Sequence, residues 1–270
     1  MSAGPASDEL LGLAVEAATE AGRMVRERRE AVGAMDVAAT KSSPTDVVTE
    51  SDTAAEHLLR ERLLGARPGD AFLGEEGGAD AGTSGVRWVV DPIDGTVNYL
   101  YDIPSYAVSV AAVVAGRTVA GVVHNPVSGE TWTATAGGGA FLDGRPLRVS
   151  PCDRLDRALV ATGFGYDAAR RAHQADVLRQ VLPRVRDIRR AGAASLDLCA
   201  LASARVDAYY ERGLKPWDLA AGGLVAAEAG AVVGGLRGAP AGEELVLAAG
   251  PALFSQLHDL LEPLGADGDG

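Results

Sequence analysis

The residues best placed to do chemistry are acidic, and they fall at three points along the chain. Asp91-Pro92-Ile93-Asp94-Gly95-Thr96 sets two carboxylates three residues apart at the end of the apolar run Trp88–Val90. Pro92 restricts the backbone after Asp91, and Gly95 lets the chain turn sharply and a ligand approach the main chain. Both carboxylates and the Ile93 carbonyl then lie close together, an oxygen-only set that suits a hard cation such as Mg2+. The same spacing and glycine would also serve an ordinary turn. Gly74-Glu75-Glu76-Gly77 follows the apolar pair Phe72-Leu73 and reads as metal ligand or as solvated loop. Asp218 in Pro216-Trp217-Asp218 opens a helix, as ligand or as an N-terminal cap. Each has an ordinary explanation alone. The case for a metal centre is that all occur together, in this order.

Two groups of elements must position these residues. Asp8–Arg29 has helical spacing of Leu10, Leu13, Ala14, Ala17, Ala21 and Val25, and Thr53–Leu64 is a second helix. Lys41-Ser-Ser-Pro-Thr-Asp46 and Gly77–Gly85 read as loops. Strands are expected at Trp88–Val90, Val108–Val114, Val119–His124, Thr131–Thr135, Gly139–Leu142 and Pro146–Val149, with a hairpin turn at Asp143-Gly144. After a strand at Ala158–Thr162 the pattern alternates. Helices at His173–Val185, Ser195–Ala204 and Trp217–Ala229 are separated by strands near Ile188, Val206–Tyr210, Ala231–Val233 and Leu245–Ala248. A last helix spans Pro251–Leu261, and Gly265–Gly270 is expected to fray. The pattern predicts an α+β unit with an antiparallel sheet over residues 1–150 and an α/β unit over 151–270, with a site between them.

Composition narrows the function. The 270 residues carry 25 basic and 37 acidic side chains, a net charge of −12. That balance argues against nucleic acid, which requires a basic footprint. It also looks wrong for an anionic substrate, unless divalent cations invert the local field. No apolar run approaches the ~18 residues of a membrane span, no secretory leader is evident, and two cysteines make no disulfide framework. These features together predict a cytoplasmic protein. His57, His124 and Cys199 read as packing residues, and Trp88 and Trp217 as walls of the site.

At this resolution of motif a family resemblance becomes specific. Trp88-Val-Val-Asp91-Pro-Ile-Asp94-Gly-Thr96-Val-Asn98-Tyr99 resembles the first signature of the inositol monophosphatase family, within the lithium-sensitive, magnesium-dependent phosphatases. Lys215-Pro-Trp217-Asp218-Leu-Ala-Ala-Gly222, followed by Glu228-Ala-Gly230, resembles the second. Lys41–Asp52 and Gly74-Glu75-Glu76 are similar to the remaining blocks, and the likeness runs from about Ala14 to Leu261. It implies a layered αβαβα sandwich of the inositol monophosphatase/fructose bisphosphatase type. It further implies that Glu75, Asp91 and the Ile93 carbonyl hold one Mg2+, that Asp91, Asp94 and Asp218 hold a second, and that a third leans on Glu75. Thr96 and Glu75 would orient and deprotonate an attacking water, Asp52 would support Thr96, and Lys41 would sit on a loop that closes over the site. Gly95 and Thr96 would bind phosphate. Gly192, Ala193, Ala194, Glu211 and Asp218 would read the polyol. Ala193 departs from relatives that carry a hydroxyl there, and Gly77 from relatives with Ser or Thr.

The resemblance implies a homodimer acting on inositol-1-phosphate by direct attack of a metal-activated water. The same chemistry on histidinol phosphate, fructose bisphosphate or a 3′-phosphoadenosine nucleotide is the alternative. A regulatory binding protein of the transcription machinery is the alternative of another class, since fold and function separate easily.

Overall fold

A computed structural model describes residues 7–31, 39–40 and 47–269. The chain opens with helix α1 (Ser7–Ala31), a two-stranded pair β1 (Ala39–Thr40) and β2 (Val47–Val48), and helix α2 (Glu50–Ala66). Then come β3 (Ala71–Gly74), β4 (Ala79–Asp80), β5 (Val86–Asp94), the short helix α3 (Thr96–Leu100), β6 (Ala107–Val114), β7 (Arg117–His124), β8 (Thr131–Thr135), β9 (Gly139–Leu142) and β10 (Arg145–Pro146). The remainder alternates: β11 (Leu159–Thr162), α4 (Ala168–Val181), β12 (Asp187–Arg189), α5 (Ala194–Ala202), β13 (Ala208–Glu211), α6 (Pro216–Glu228), β14 (Val232–Gly234), β15 (Val246–Ala249) and α7 (Pro251–Leu261).

Strands β3 to β10 form an eight-stranded sheet in the order β10-β9-β8-β7-β6-β5-β3-β4, antiparallel except where β3 runs parallel to β5. A five-stranded sheet has the order β12-β11-β13-β15-β14. On one face of the large sheet, α1 and α2 bury Leu10, Ala14, Ala17, Leu59 and Leu63 against Trp88, Val90, Val108 and Val110. The spacing of the α1 residues is that of one helical face, and their small size lets the helix lie close to the strands. Gly22 makes one such approach, since a Cβ there would lie 2.6 Å from the His124 ring. The opposite face packs on α5 and α6 through Val89, Ala111 and Val123 against Leu196, Cys199, Ala221 and Val225. Leu198, Leu201 and Ala226 of the same two helices turn to Tyr209, Val246 and Ala248 of the small sheet. Finally α4 and α7 cover the far face of that sheet, with Val177, Leu253 and Leu257 on Val160 and Leu247. The result is the αβαβα sandwich expected, with α5 and α6 as a central layer shared by both sheets.

Local capping explains several boundaries. Thr49 and Asp52 form a reciprocal capping box at the start of α2. Pro216 and Pro251 occupy the first turns of α6 and α7, where the missing N–H costs nothing. Helix α4 begins five residues before the expected His173, because Asp167 caps it by accepting the Arg170 N–H at 2.9 Å. The Pro146–Val149 strand shortens to Arg145–Pro146, since the Val149 N–H is drawn away to the Ala229 carbonyl of α6 at 3.0 Å. The Gly77–Gly85 loop contains the short strand β4. The small sheet is mixed: β12, β11 and β13 are parallel, while β15 and β14 pair antiparallel. The C-terminal segment is tethered instead of frayed, with Asp267 paired to Arg237 and Asp269 to Arg170 and Arg212. Trp88 faces the α1/α2 core and donates its indole N–H to Asp70 at 2.9 Å, so it is not a wall of the site.

Candidate metal centre and active site

The carboxylates converge at the edge of the central layer, and each arrives by a definite device. Residues three apart on a regular strand point to opposite faces. On β5, however, Asp91 pairs with Ser109 and Asp94 with Ala107, so three steps on β5 match two on β6. This bulge turns Asp94 back to the face that Asp91 occupies, toward α5 and α6. Glu75 comes from the parallel pairing of β3 with β5. Gly74 lies opposite Val90, so the next residue of each strand, Glu75 and Asp91, leave adjacent carboxyl ends side by side. Asp218 stands in the first turn of α6 and accepts the Lys215 N–H at 2.6 Å. It is therefore both a helix cap and a member of the cluster.

Asp91, Asp94 and Asp218 each place one oxygen within 4.8 Å of the others. Asp91 is held well above the usual carboxylate range, first by burial and then by the charges of Glu75, Asp94 and Asp218. Burial also raises Asp218 well above that range, with Asp94 and Glu75 adding to it. Asp94 is raised to about 6 by burial, against the opposing pull of its hydrogen bonds to Ser195 and Ala194. Like charges gathered out of water are costly unless a cation neutralises them. With oxygen as the only donor type, the residues fit a hard divalent ion.

Asp94 has a second neighbour that the sequence did not reveal. It accepts the backbone N–H groups of Ala194 at 3.2 Å and Ser195 at 2.7 Å, and the Ser195 hydroxyl. These are the first donors of α5, whose N-cap residue, Ala193, has no side-chain oxygen. A carboxylate from the large sheet thus caps a helix 100 residues further on. Thr96, also buried, has its hydroxyl 3.0 Å from Asp52 Oδ1 and 3.0 Å from the Ile93 carbonyl. Asp52 is itself fixed by the Thr49 N–H at 2.8 Å and by the Thr49 hydroxyl.

A cavity of 590 Å³ joins these residues to others. Its lining includes Glu75, Asp91, Ile93, Asp94, Gly95, Thr96, Gly192, Ala194, Glu211, Trp217 and Asp218. Asp52 is not part of this lining but accepts from Thr96, which is. Ala193 does not reach it: it is 1% exposed and packs among the side chains between the large sheet and α5. Lys41 lies outside the described residues. Glu211 is pushed up to about 7 by burial, with Tyr209 donating to it at 2.7 Å and Arg190 opposing the shift. Gly163 makes room for it, since a Cβ there would lie 2.0 Å from Glu211 Oε2.

Beyond Ser195, sequence reasoning missed two further groups. Buried Glu56 of α2 accepts the N–H groups of Glu76 at 2.7 Å and Gly78 at 3.0 Å, and so fixes the turn that carries Glu75. Glycines at 74 and 78 admit the Glu56 carboxylate. The cavity lining also includes Arg170, Arg190, Arg212 and Lys215, interspersed with Asp167 and Glu243, and Lys215 is paired with Glu243. Only the adjacency of Arg212 to Glu211 and the place of Lys215 in its motif could have flagged them.

Comparison with known proteins agrees with this geometry. The profile of the inositol monophosphatase family matches residues 6–264. An inositol-1-monophosphatase of Mycobacterium leprae is 48% identical over 273 residues, covering 94% of each chain. The Nus factor SuhB of Escherichia coli K12 is 39% identical over 231 residues, covering 85% of this chain and 86% of its own. Among solved structures, the extragenic suppressor protein suhB of Bartonella henselae superposes with a TM-score of 0.88 at 36% identity, covering 94% of this chain and 98% of that one. The fold, the clustered carboxylates and these relatives together establish that the chain belongs to the inositol monophosphatase family, a class of phosphoric monoester hydrolases.

Proposed function

We propose that this protein is a magnesium-dependent phosphatase that hydrolyses the monoester of a small polyol, with inositol-1-phosphate as its substrate. The observation that carries this reading is the convergence of Asp91, Asp94 and Asp218 on one point at the floor of a polyol-sized cavity. Glu75, Asp91 and the Ile93 carbonyl would hold one Mg2+, Asp91, Asp94 and Asp218 a second, and Glu75 would share a third. Bound there, the ions supply positive charge toward the phosphate and lower the pKa of water at the site.

The chain's own residues do the rest. The Thr96 hydroxyl has one proton, directed to Asp52 or Ile93, so its lone pairs are left to accept from the attacking water. Glu75 stands beside Asp91 and takes the proton that water gives up. Gly95 and Thr96 present backbone N–H groups at the same wall of the cavity to the phosphate. Glu211, with one oxygen already bonded to Tyr209, offers the other to a polyol hydroxyl. Gly192 and Ala194 contribute backbone to that end, Asp218 flanks it, and Ala193 acts only as packing behind them.

A second reading, a binding role in the transcription machinery, is favoured by the relatives named Nus factor SuhB. We further propose a cytoplasmic homodimer, consistent with the fact that no helix among the described residues is long and apolar enough to cross a membrane. We also propose a division of each chain near residue 150 between the strands of the large sheet and those of the small one. The test of function is phosphate release from inositol-1-phosphate and a panel of sugar, polyol and nucleotide phosphates, with and without Mg2+ and with added lithium. Absence of release across the panel defeats the phosphatase reading. Glu75→Gln separates the two readings, because Glu75, unlike Asp94, caps no helix. A cellular role that survives its loss of turnover would belong to binding.

A further inference from the structure

Helix α2 carries a buried carboxylate to which the proposed chemistry gives no part. Asp52 and Glu56 stand four residues apart on α2, so they share one face of the helix, and both are buried. Asp52 receives the Thr96 hydroxyl at 3.0 Å. Glu56 commits both oxygens to the turn after β3: Oε2 accepts the Glu76 N–H at 2.7 Å and Oε1 the Gly78 N–H at 3.0 Å. Glu75 therefore lies between two fixed points, because the Gly74 N–H is itself bonded to the Gly78 carbonyl at 2.7 Å.

The fit between helix and turn is close. A Cβ at Gly74 would lie 2.1 Å from Glu56 Oε2, and one at Gly78 would lie 2.5 Å from Oε1 and 2.0 Å from Arg60 Nη2. Arg60, one turn further along α2, pairs with Asp80 of β4 at 2.6 Å and lies over the Phe72 ring of β3, 4.9 Å from its centroid. At the other end of the face, Ser51 accepts the Tyr99 hydroxyl of α3 at 2.8 Å. One helix thus grips both segments that leave the ends of β3 and β5, the Glu75 turn and the Thr96 helix. Residues one turn apart advance ~6 Å along a helix, near the ~4.8 Å between neighbouring strands, so the spacing of the two carboxylates suits the two strand ends. Glu56 is not part of the cavity lining and acts through the turn.

We propose that Glu56 is a positioning residue, and that α2 works as a gauge: Asp52 and Glu56 together set the Thr96 hydroxyl and the Glu75 carboxylate at the separation that holds one water between them. This deepens the phosphatase reading and rests on its assignment of Glu75 and Thr96 to that water.

The test combines kinetics with amide exchange. The proteins are wild type, Glu56→Gln, Gly78→Ala, Asp52→Asn, the Glu56→Gln/Asp52→Asn double variant and, as a control, Arg62→Gln, which breaks an α2 pair with Glu20 of α1. kcat and KM are measured on inositol-1-phosphate at saturating Mg2+, and exchange is followed by mass spectrometry in chelator. Glu56→Gln keeps the size and one acceptor but turns an amide NH2 toward a donor of the turn. It should lower kcat by roughly ten- to hundredfold with KM within about twofold, and quicken exchange at Glu76 and Gly78 by about tenfold while the core strands stay protected. Gly78→Ala presses on the same clamp from the turn and should give the same split; it carries the test if Glu56→Gln does not fold. Arg62→Gln should leave both readouts alone. Because both carboxylates serve one water, the double variant should lose less than the product of the single losses. Wild-type kcat in Glu56→Gln, or faster exchange over the whole chain with kcat and KM moving together, overturns the positioning role. Losses that multiply overturn the shared gauge. If the wild-type chain releases no phosphate, the phosphatase reading has failed and exchange alone decides: quickening confined to the Glu75 turn upholds the clamp, and unchanged exchange there overturns it.

Discussion

Asp197 offers the sharpest test of the electrostatics at the site. It lies in the first turn of α5 and is 3% exposed. Burial, followed by the charges of Glu211 on β13 and Asp94 on β5, pushes it up from 3.8 to about 8, with Arg190 opposing. A helix N-terminus favours a carboxylate, so burial overrides the dipole here. The folded chain thus binds this proton more tightly than the unfolded chain does. Below about pH 4 both states are protonated, and the stabilisation is fully present. As pH rises toward 8 the unfolded chain ionises first, and stability falls by about 1.36 kcal/mol per unit until the folded acid also ionises. With the two values given, the loss between pH 5 and pH 8 is about 3.5 kcal/mol. Asp197→Asn keeps the shape without the proton and should not show this loss. Taking ~2.1 cal/mol/K per residue over 270 residues, the difference corresponds to about 6 °C in Tm. The assay is urea and thermal unfolding of both proteins in chelator from pH 5 to 8, so that ion binding does not enter. Stability curves that run parallel across that range would refute the reasoning.

Three more outcomes are expected. Thr96→Val leaves the buried Asp52 without one of its donors and should cost about 1–3 kcal/mol of stability by urea unfolding, with turnover falling at least ~10²-fold, while Thr96→Ser keeps most of both. Ser195→Ala removes the hydroxyl donor to Asp94 without touching the cavity lining; it should raise the Asp94 pKa above about 6 and weaken Mg2+ binding by about tenfold in calorimetry. Gly163→Ala would drive a methyl into Glu211, so KM for the polyol phosphate should rise several-fold with a smaller change in kcat; equal changes would place Glu211 outside substrate recognition.

Much of this architecture is legible in sequence because local rules and tertiary packing agree. The spacing of Leu10, Ala14, Ala17 and Val25 is the buried face of α1, and Thr131–Thr135 and Gly139–Leu142 are strands at their expected limits. The Asp-Pro-Ile-Asp motif was readable as a cluster because its spacing survives the bulge, which lies in the pairing of β5 with β6 and whose one local mark is Pro92, a residue that cannot donate to the ladder. What stayed hidden depends on contacts between distant segments. Ser195 sits in an apolar helical stretch, and only the fold brings it to Asp94. Glu56 looks like any helical glutamate until the Glu75 turn folds over it. The tail is short and polar, which suggests fraying, but its two aspartates meet arginines from three other segments. Ala193 was assigned to substrate by its place in a motif, whereas its burial against the large sheet makes it a spacer.

The central layer has a mechanical meaning. Helices α5 and α6 are the common floor of both sheets, and each is anchored at its first turn to the same carboxylate cluster, α5 through Asp94 and α6 through Asp218. The cluster therefore ties the first turns of both helices to one place. A change in its charge bears on two helix ends at once. Glu75 follows a strand of the large sheet and Glu211 ends a strand of the small one, so the two ends of the cavity belong to different sheets.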